Sequence, residues 1–173
     1  MQPDFKAILS IDSARAIADV ALQEMGLNPD YFSQVLELAL SEKSPLNWRA
    51  SRVIDYAVRD NPFLFFDHAD RIAPLFPSFT NDGLKRSFLS AFKQVVNRLS
   101  EENLEIIIAD SFDKLMDSKE KIAVRYYAAL LLFEISKREP DIRGELQACL
   151  EFSIAEGHLR SNGKVLAILK AIR

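Results

Sequence analysis

Two similar stretches of the sequence decide its fold, VIDYAVRDNPFLFF at Val53–Phe66 and LLFEISKREPDIRG at Leu131–Gly144. In each, an apolar-rich helical run ends in a basic residue that stands three positions before a proline. These residues are Arg59 and Pro62 in the first stretch and Lys137 and Pro140 in the second. A base in the last turn complements the partial negative charge of a helix C-terminus, so both stretches read as the end of one helix and the start of another.

The same pattern occurs a third time midway between them, in FKQVVNRLSEENLE at Phe92–Glu105. A shift of 39 residues places Arg59 on Arg98 and then on Lys137, and it places the first proline on Glu101. One helical pair per 39 residues is the sequence signature of a solenoid, in which repeated units stack along one direction.

Helix-start signals divide the rest of the chain. Asn28, Ser44 and Asn61 each precede a proline, and Ser100 and Ser118 offer further side-chain oxygens that can cap a free helical N–H. No segment alternates as a strand would. The sequence predicts helices near 13–25, 29–42, 45–60, 62–76, 81–99, 101–117, 119–138, 140–156 and 163–173. Because the connections are short, successive helices should run antiparallel.

The chain resembles HEAT and armadillo-type helical-repeat proteins in this pattern. The resemblance implies an all-α solenoid of about four antiparallel helix pairs in a single domain over 1–173. The predicted pairs lie at about 13–42, 45–76, 81–117 and 119–156. Val165, Ile168, Leu169 and Ile172 share one face of the last helix, 163–173, which we interpret as a cap. An all-α bundle with accidental self-similarity is the alternative.

Composition limits the class of protein. A chain of 173 residues that is 49% hydrophobic can bury a sizeable core. No apolar run is long enough to span a bilayer, and the single cysteine, Cys149, cannot form an internal disulfide. We therefore expect a cytoplasmic protein that does not bind membranes. The net charge of −3 gives no general attraction to nucleic acid.

Residues that could carry chemistry are few. His68 and His158 lie far apart, and neither stands in a cluster with metal-ligand spacing, so we expect no metal. Cys149 lies among apolar residues and is expected to be a buried thiol rather than a nucleophile. The chain has no glycine-rich phosphate loop. The sequence therefore predicts neither a catalytic site nor a cofactor.

One enzyme class shares the expected architecture, the HEAT-like alkylpurine DNA glycosylases. That likeness implies a concave cationic surface with aromatic and acidic residues, and Trp48, Arg49 and Arg52 superficially fit it. The second helices of the predicted pairs argue against it, because together they hold fifteen acidic and four basic residues. This row typically lines the concave side of HEAT-like proteins, where an acidic surface would repel DNA.

The sequence therefore favours a non-enzymatic scaffold that binds a protein or a basic peptide. A HEAT-like nucleic-acid-processing enzyme is the alternative, and a subunit that stacks on a partner solenoid is a third possibility. The oligomeric state does not follow from the sequence.

The helix after Ser100 is the strongest candidate for a binding surface. Its apolar face is predicted to pack in the core. The other side holds Glu102, Glu105, Ile106, Asp110, Asp113 and Asp117. We interpret these residues as an acidic strip with one apolar anchor, Ile106, for a basic segment. The plain alternative is a solvated helix face.

Trp48 and Arg52 are the other candidates for partner binding. Both fall on the same side of the helix at 45–60. An outward tryptophan would be a binding hot spot. We expect Trp48 instead to pack against the preceding helix pair.

Overall fold

The computed structural model describes residues 2–160 and 162–172, and every regular element in these ranges is helical. The α-helices are α1 (Phe5–Ser10), α2 (Arg15–Met25), α3 (Pro29–Ser41), α4 (Leu46–Asp60), α5 (Phe66–Ile72), α6 (Asp82–Gln94), α7 (Glu101–Met116), α8 (Ile122–Arg138), α9 (Arg143–Ala155) and α10 (Gly163–Ile172). Short 3₁₀ segments lie at Pro62–Phe65, Ala73–Ser78, Val96–Arg98 and Pro140–Ile142. No helix in the described part of the chain is long and apolar enough to cross a membrane.

The helices stack in two rows. In the first-helix row, α2 packs on α4, α4 on α6 and α6 on α8. The second-helix row consists of α3, α5, α7 and α9, and in it α7 contacts both the 3₁₀ segment Ala73–Ser78 and α9. This stacking of units on their neighbours is that of an α-solenoid, as the sequence predicted.

The last helix closes one end of the array. α10 packs on α9 and buries Val165, Ile168 and Leu169, and Ile172 is partly buried beside them. The predicted cap therefore contains a helix to Ile172, and its last residue lies outside the described ranges.

The most extensive packing between the two rows joins α3 to α4 and α7 to α8. These helices belong to consecutive predicted pairs rather than to the same pair. The division into pairs at about 13–42, 45–76, 81–117 and 119–156 stays a proposal, and the composition of the two rows does not depend on it.

The 39-residue period has a physical counterpart in hydrogen bonds between units. Arg52 donates to the carbonyl oxygen of Ser13 at 2.8 Å, and Arg138 donates to that of Leu99 at 3.1 Å, each 39 residues earlier. Arg49 donates at 3.0 Å to a carbonyl oxygen 40 residues earlier. Carbonyl oxygens at helix ends and in turns have no partner within a helix, and these arginines supply one from the next unit.

Aromatic rings fill the interior between the rows. Phe32, Phe65, Phe76, Phe79, Phe88 and Phe92 form a connected set of edge and tilted contacts. Their centroid distances, between 5.1 and 6.5 Å, lie in the range favoured by aromatic pairs. The cluster joins α3, the segment 62–79 and α6 into one core.

The structure corrects the helix predicted at 62–76. The chain there forms the 3₁₀ segment Pro62–Phe65, then α5, then the 3₁₀ segment Ala73–Ser78. Pro74 and Pro77 have no backbone N–H, and a proline ring inside an α-helix clashes with the carbonyl four residues earlier. The α-helix therefore ends at Ile72.

Side-chain caps were predicted correctly at only some helix starts. Asn28 accepts from the N–H of Asp30 in α3, and Ser100 accepts from an N–H in α7. Ser44 and Ser118 do not cap, because α4 and α8 begin later than predicted. The sequence analysis also missed α1, which is short but buries Phe5 against the core.

α4 and α6 approach each other closely at Gly83. A Cβ atom on Gly83 would lie 2.7 Å from Cβ of Trp48 and 2.9 Å from Oδ1 of Asn81. Further along α6, Ser87 and Ser90 are also small and buried. Glycine at position 83 is therefore required by space rather than by backbone conformation.

Gly83→Ala should lower the free energy of unfolding by about 1–3 kcal/mol, because the added methyl group forces α4 and α6 apart. Urea denaturation followed by circular dichroism measures the effect. Gly144→Ala is the matched control, since a Cβ atom there meets nothing within 4 Å. It should leave stability unchanged or raise it slightly. Equal stability of the two variants would show that α6 can shift without cost.

Candidate functional site

A pocket of about 320 Å³ lies across the first-helix row, and we call it the cationic pocket. Its polar lining comes from three helices: Arg52, Asp55, Tyr56 and Arg59 of α4, Arg86 of α6 and Tyr127 of α8. Trp48, Gly83 and Ser87 complete the wall. The structure thus brings the predicted residues Trp48 and Arg52 into one site. Trp48 is half-buried and lines the pocket while it packs on α6.

Asp55 and Arg59 form an ion pair within the pocket wall. Nε and Nη2 of Arg59 donate to the two carboxylate oxygens of Asp55 at 2.8 and 2.5 Å. Burial raises the pKa of Asp55, although Ser90 and Arg59 oppose the shift. Arg59 also donates to Ser90 at 3.2 Å and lies 3.4 Å from the hydroxyl of Tyr127. The pair therefore cancels its own charge and fixes the guanidinium of Arg59.

Tyr56 is surrounded by arginines. Nε of Arg52 donates to its hydroxyl oxygen at 2.9 Å, and Cζ of Arg15 lies 4.0 Å from its ring centroid. Burial alone would raise the pKa of Tyr56, but Arg52 and Arg15 outweigh it and lower the pKa below its usual value. A phenol whose pKa falls despite burial indicates a positive local potential.

The net charge of the cationic pocket is positive. Arg52 and Arg86 form no ion pair with any carboxylate in the described ranges, whereas Asp55 is neutralised by Arg59. Arg86 donates from Nε to the backbone oxygen of Asp82 at 3.3 Å. Two guanidinium groups are thus left to interact with a ligand, and they suit an anion.

The sequence contained part of this site. Arg52, Asp55 and Arg59 recur at helical spacing on the side of α4 that carries Trp48. Arg86 and Tyr127 gave no signal, because they reach the pocket from helices that only the stacking of α4, α6 and α8 brings together.

α7 presents the second candidate surface. Its buried face packs against the core, one edge contacts the segment Ala73–Ser78, and Met116 contacts Ser153 of α9. Glu102, Glu105 and Asp113 remain exposed, and Ile106 is partly buried among them. None of the three carboxylates makes an ion pair with another described residue. We call this surface the α7 face.

Asp117 lies at the end of α7 and has a local structural role. Its side chain accepts from the N–H of Lys119 at 2.8 Å, and its carbonyl oxygen accepts from Arg125 at 2.9 Å. These bonds shape the turn into α8. Asp117 is exposed, but its carboxylate is engaged by the backbone of its own turn.

Asp110 does not belong to the exposed strip, so its assignment to that surface was wrong. It is 9% exposed, and both its oxygens accept from Nζ of Lys114, at 2.5 and 2.6 Å. Nζ of Lys114 also lies 4.7 Å from the ring centroid of Phe76. Burial raises the pKa of Asp110, with Lys114 opposing the shift. The pair sits where α7 packs against the preceding unit.

The two residues considered for catalysis, His68 and Cys149, lie on different helices, α5 and α9. His68 packs on the ring of Phe32, and burial lowers its pKa. Cys149 is partly buried, and burial raises its pKa, which favours the unreactive thiol. No group of three potential metal ligands occurs within residues 2–160 and 162–172.

Lys114→Met should lower the free energy of unfolding by about 3 kcal/mol, because it leaves the carboxylate of Asp110 buried without a partner. The double variant with Asp110→Leu should recover most of the loss, because no unpaired charge remains. Urea denaturation measures both changes.

Lys137→Met is the matched control, since it breaks the exposed pair with Glu134. That change should cost less than about 1 kcal/mol. If Lys114→Met were no more damaging than this control, Asp110 would be accessible to solvent and would rejoin the α7 face.

Comparison with known proteins identifies the family. A family model described as a HEAT repeat domain matches residues 5–164. No curated protein and no solved structure matches the chain. HEAT repeats form helical scaffolds that typically mediate protein interactions and are generally not enzymes. The match covers nearly all of the chain and agrees with the two stacked rows of helices, so this protein belongs to the HEAT repeat family.

Proposed function

We propose that this protein is a non-enzymatic, cytoplasmic scaffold that binds a basic segment of another protein through the α7 face. One observation carries the proposal: Glu102, Glu105 and Asp113 are exposed and unpaired among the described residues, around the partly buried Ile106. Charges of one sign that are not neutralised within the protein attract a partner of the opposite sign. The single cysteine supports the cytoplasmic location.

Exposed apolar side chains on the two elements that flank α7 support a protein ligand. Leu75 in the preceding 3₁₀ segment and Phe152 in α9 are 45% and 48% exposed, and both elements contact α7. Exposed ion pairs contribute only about 0–1 kcal/mol each, so a charged surface needs apolar contacts to bind tightly. Ile106 is our choice for the main anchor.

Ion pairs neutralise part of the acidity of the second-helix row. In α3 and its C-terminal end, Glu37 pairs with Arg71, and Glu42 pairs with Lys6. In α7, Asp110 is paired internally, but three exposed carboxylates are left. Three carboxylates on the same helix as Ile106 are therefore not neutralised by ion pairs in the described part of the chain.

A HEAT-like enzyme that acts on nucleic acid is the alternative, and the cationic pocket favours it. The pocket combines arginines with Trp48 and Tyr56, and it lies outside the acidic second-helix row. Against a catalytic role, Asp55 accepts from two nitrogens of Arg59, Nε and Nη2, and is not free to act as a base.

A labelled peptide rich in lysine and arginine, with one leucine, tests the scaffold by fluorescence anisotropy. Its affinity should fall from low to physiological salt, as the screening length shortens to about 8 Å. Glu105→Lys with Asp113→Lys should weaken binding about tenfold, mainly by slowing association. Ile106→Ala should mainly speed dissociation.

The matched control is Glu24→Lys with Asp60→Lys, which changes the net charge equally at exposed positions of the first-helix row. It should change the affinity much less than the α7 variant. Equal losses in the two double variants would show that only net charge matters. Salt-sensitive binding to duplex DNA, with the peptide ignored, would favour the enzyme instead.

A further inference from the structure

We propose that the cationic pocket is a binding site for a phosphate monoester carried on a flat ring, such as a phosphorylated tyrosine side chain or a small aryl phosphate. The pocket lies on the first-helix row and shares no residue with the α7 face. The inference therefore does not depend on the proposed scaffold function, and either can fail alone.

The positive charge of the cationic pocket indicates the class of ligand. Arg52 and Arg86 are left without carboxylate partners in the described part of the chain, and Asp55 is neutralised by Arg59. Two uncompensated guanidinium groups match a phosphate monoester, which carries a charge of about −1.5 to −2 at pH 7. A carboxylate or a phosphodiester carries only one negative charge and would leave one guanidinium uncompensated.

The hydrogen-bond donors of the pocket are held in place before any ligand arrives. Arg52 is fixed by bonds from Nε to Tyr56 and from Nη1 to the backbone oxygen of Ser13, which leaves its Nη2 available. Arg59 is fixed by Asp55, and its Nη1 is available. Donors that are already ordered lose less conformational entropy on binding, so they bind an anion more tightly than flexible ones.

The size and walls of the pocket favour a single group over a polymer. A volume of about 320 Å³ lies at the lower end of the range for small-molecule sites. Trp48 and Tyr127 offer aromatic surface for the ring, and Ser87 and Tyr127 offer hydroxyl groups for the phosphate oxygens. Affinity for DNA comes instead from many phosphate contacts along an extended surface.

Phenyl phosphate is the probe, and Trp48 is the reporter because it is the only tryptophan and lines the pocket. We expect a saturable change in Trp48 emission, with matching heat in isothermal titration calorimetry. Benzenesulfonate, a ring of similar shape with one negative charge, should bind several-fold more weakly. Arg86→Gln should weaken phenyl phosphate binding at least about tenfold, because it removes a charged hydrogen-bond donor.

Arg160→Gln, at an exposed site outside the pocket, is the matched control and should bind like the unaltered protein. Circular dichroism melting of each variant separates lost binding from lost folding. A phosphotyrosine peptide that binds more tightly than phenyl phosphate assigns the ligand to a protein segment, and equal affinities assign it to a small molecule.

Three results would overturn the proposal. The first is an absence of both a Trp48 emission change and binding heat at millimolar phenyl phosphate. The second is equal affinity for benzenesulfonate, and the third is unchanged affinity in Arg86→Gln. Tight binding to duplex DNA, with phenyl phosphate ignored, would make the pocket part of a nucleic-acid surface. Failure of the basic peptide to bind would contradict only the function proposed for the α7 face and would leave this proposal unaffected.

Discussion

The close contact between α4 and α6 is the constraint on which the rest of the structure depends. α4 packs against α2, α3 and α6, so its position sets the spacing of the first-helix row. The absence of a side chain at Gly83 allows Trp48 to reach the backbone of α6. The same approach brings Arg59 of α4 within hydrogen-bond distance of Ser90. A larger separation between α4 and α6 would open the core and would also pull apart the walls of the cationic pocket.

Charged residues in this protein fall into two groups. One group is little exposed: Asp110 pairs with Lys114 within α7, and Lys85 of α6 pairs with Glu120, which stands just before α8. The second pair specifies how neighbouring units fit, because an unpaired buried charge is costly. The other group is left free, with arginines in the cationic pocket and carboxylates on the α7 face. The free arginines of the cationic pocket and the free carboxylates of the α7 face thus lie on different helix rows.

This separation gives one small solenoid two surfaces of opposite chemistry. The α7 face has acidic groups and an apolar side chain, whereas the pocket has fixed guanidinium groups and aromatic walls. No residue is common to both, so variants can address each surface separately. In a stacked-repeat fold this is possible because each row of helices keeps one side free of its neighbours.

The sequence by itself determined the helical class, most helix positions and the repeat. Local spacing of apolar residues and caps such as Asn28 and Ser100 act within a few residues, and the 39-residue period shows how often the unit recurs. It also placed Glu102, Glu105 and Asp113 on the outward side of α7, because helical periodicity alone decides which residues share a face.

The tertiary structure determines which neighbouring helix each helix face contacts. Asp110 pairs with Lys114 one turn further along α7, and it is buried because α7 packs against the segment that carries Phe76. Arg86 and Tyr127 join the residues of α4 only after three helices stack. The periodicity of a helix fixes the direction of each side chain relative to the axis of that helix. The distance to the next helix depends on the volumes of all the residues between them, as at Gly83, and no local pattern records that distance.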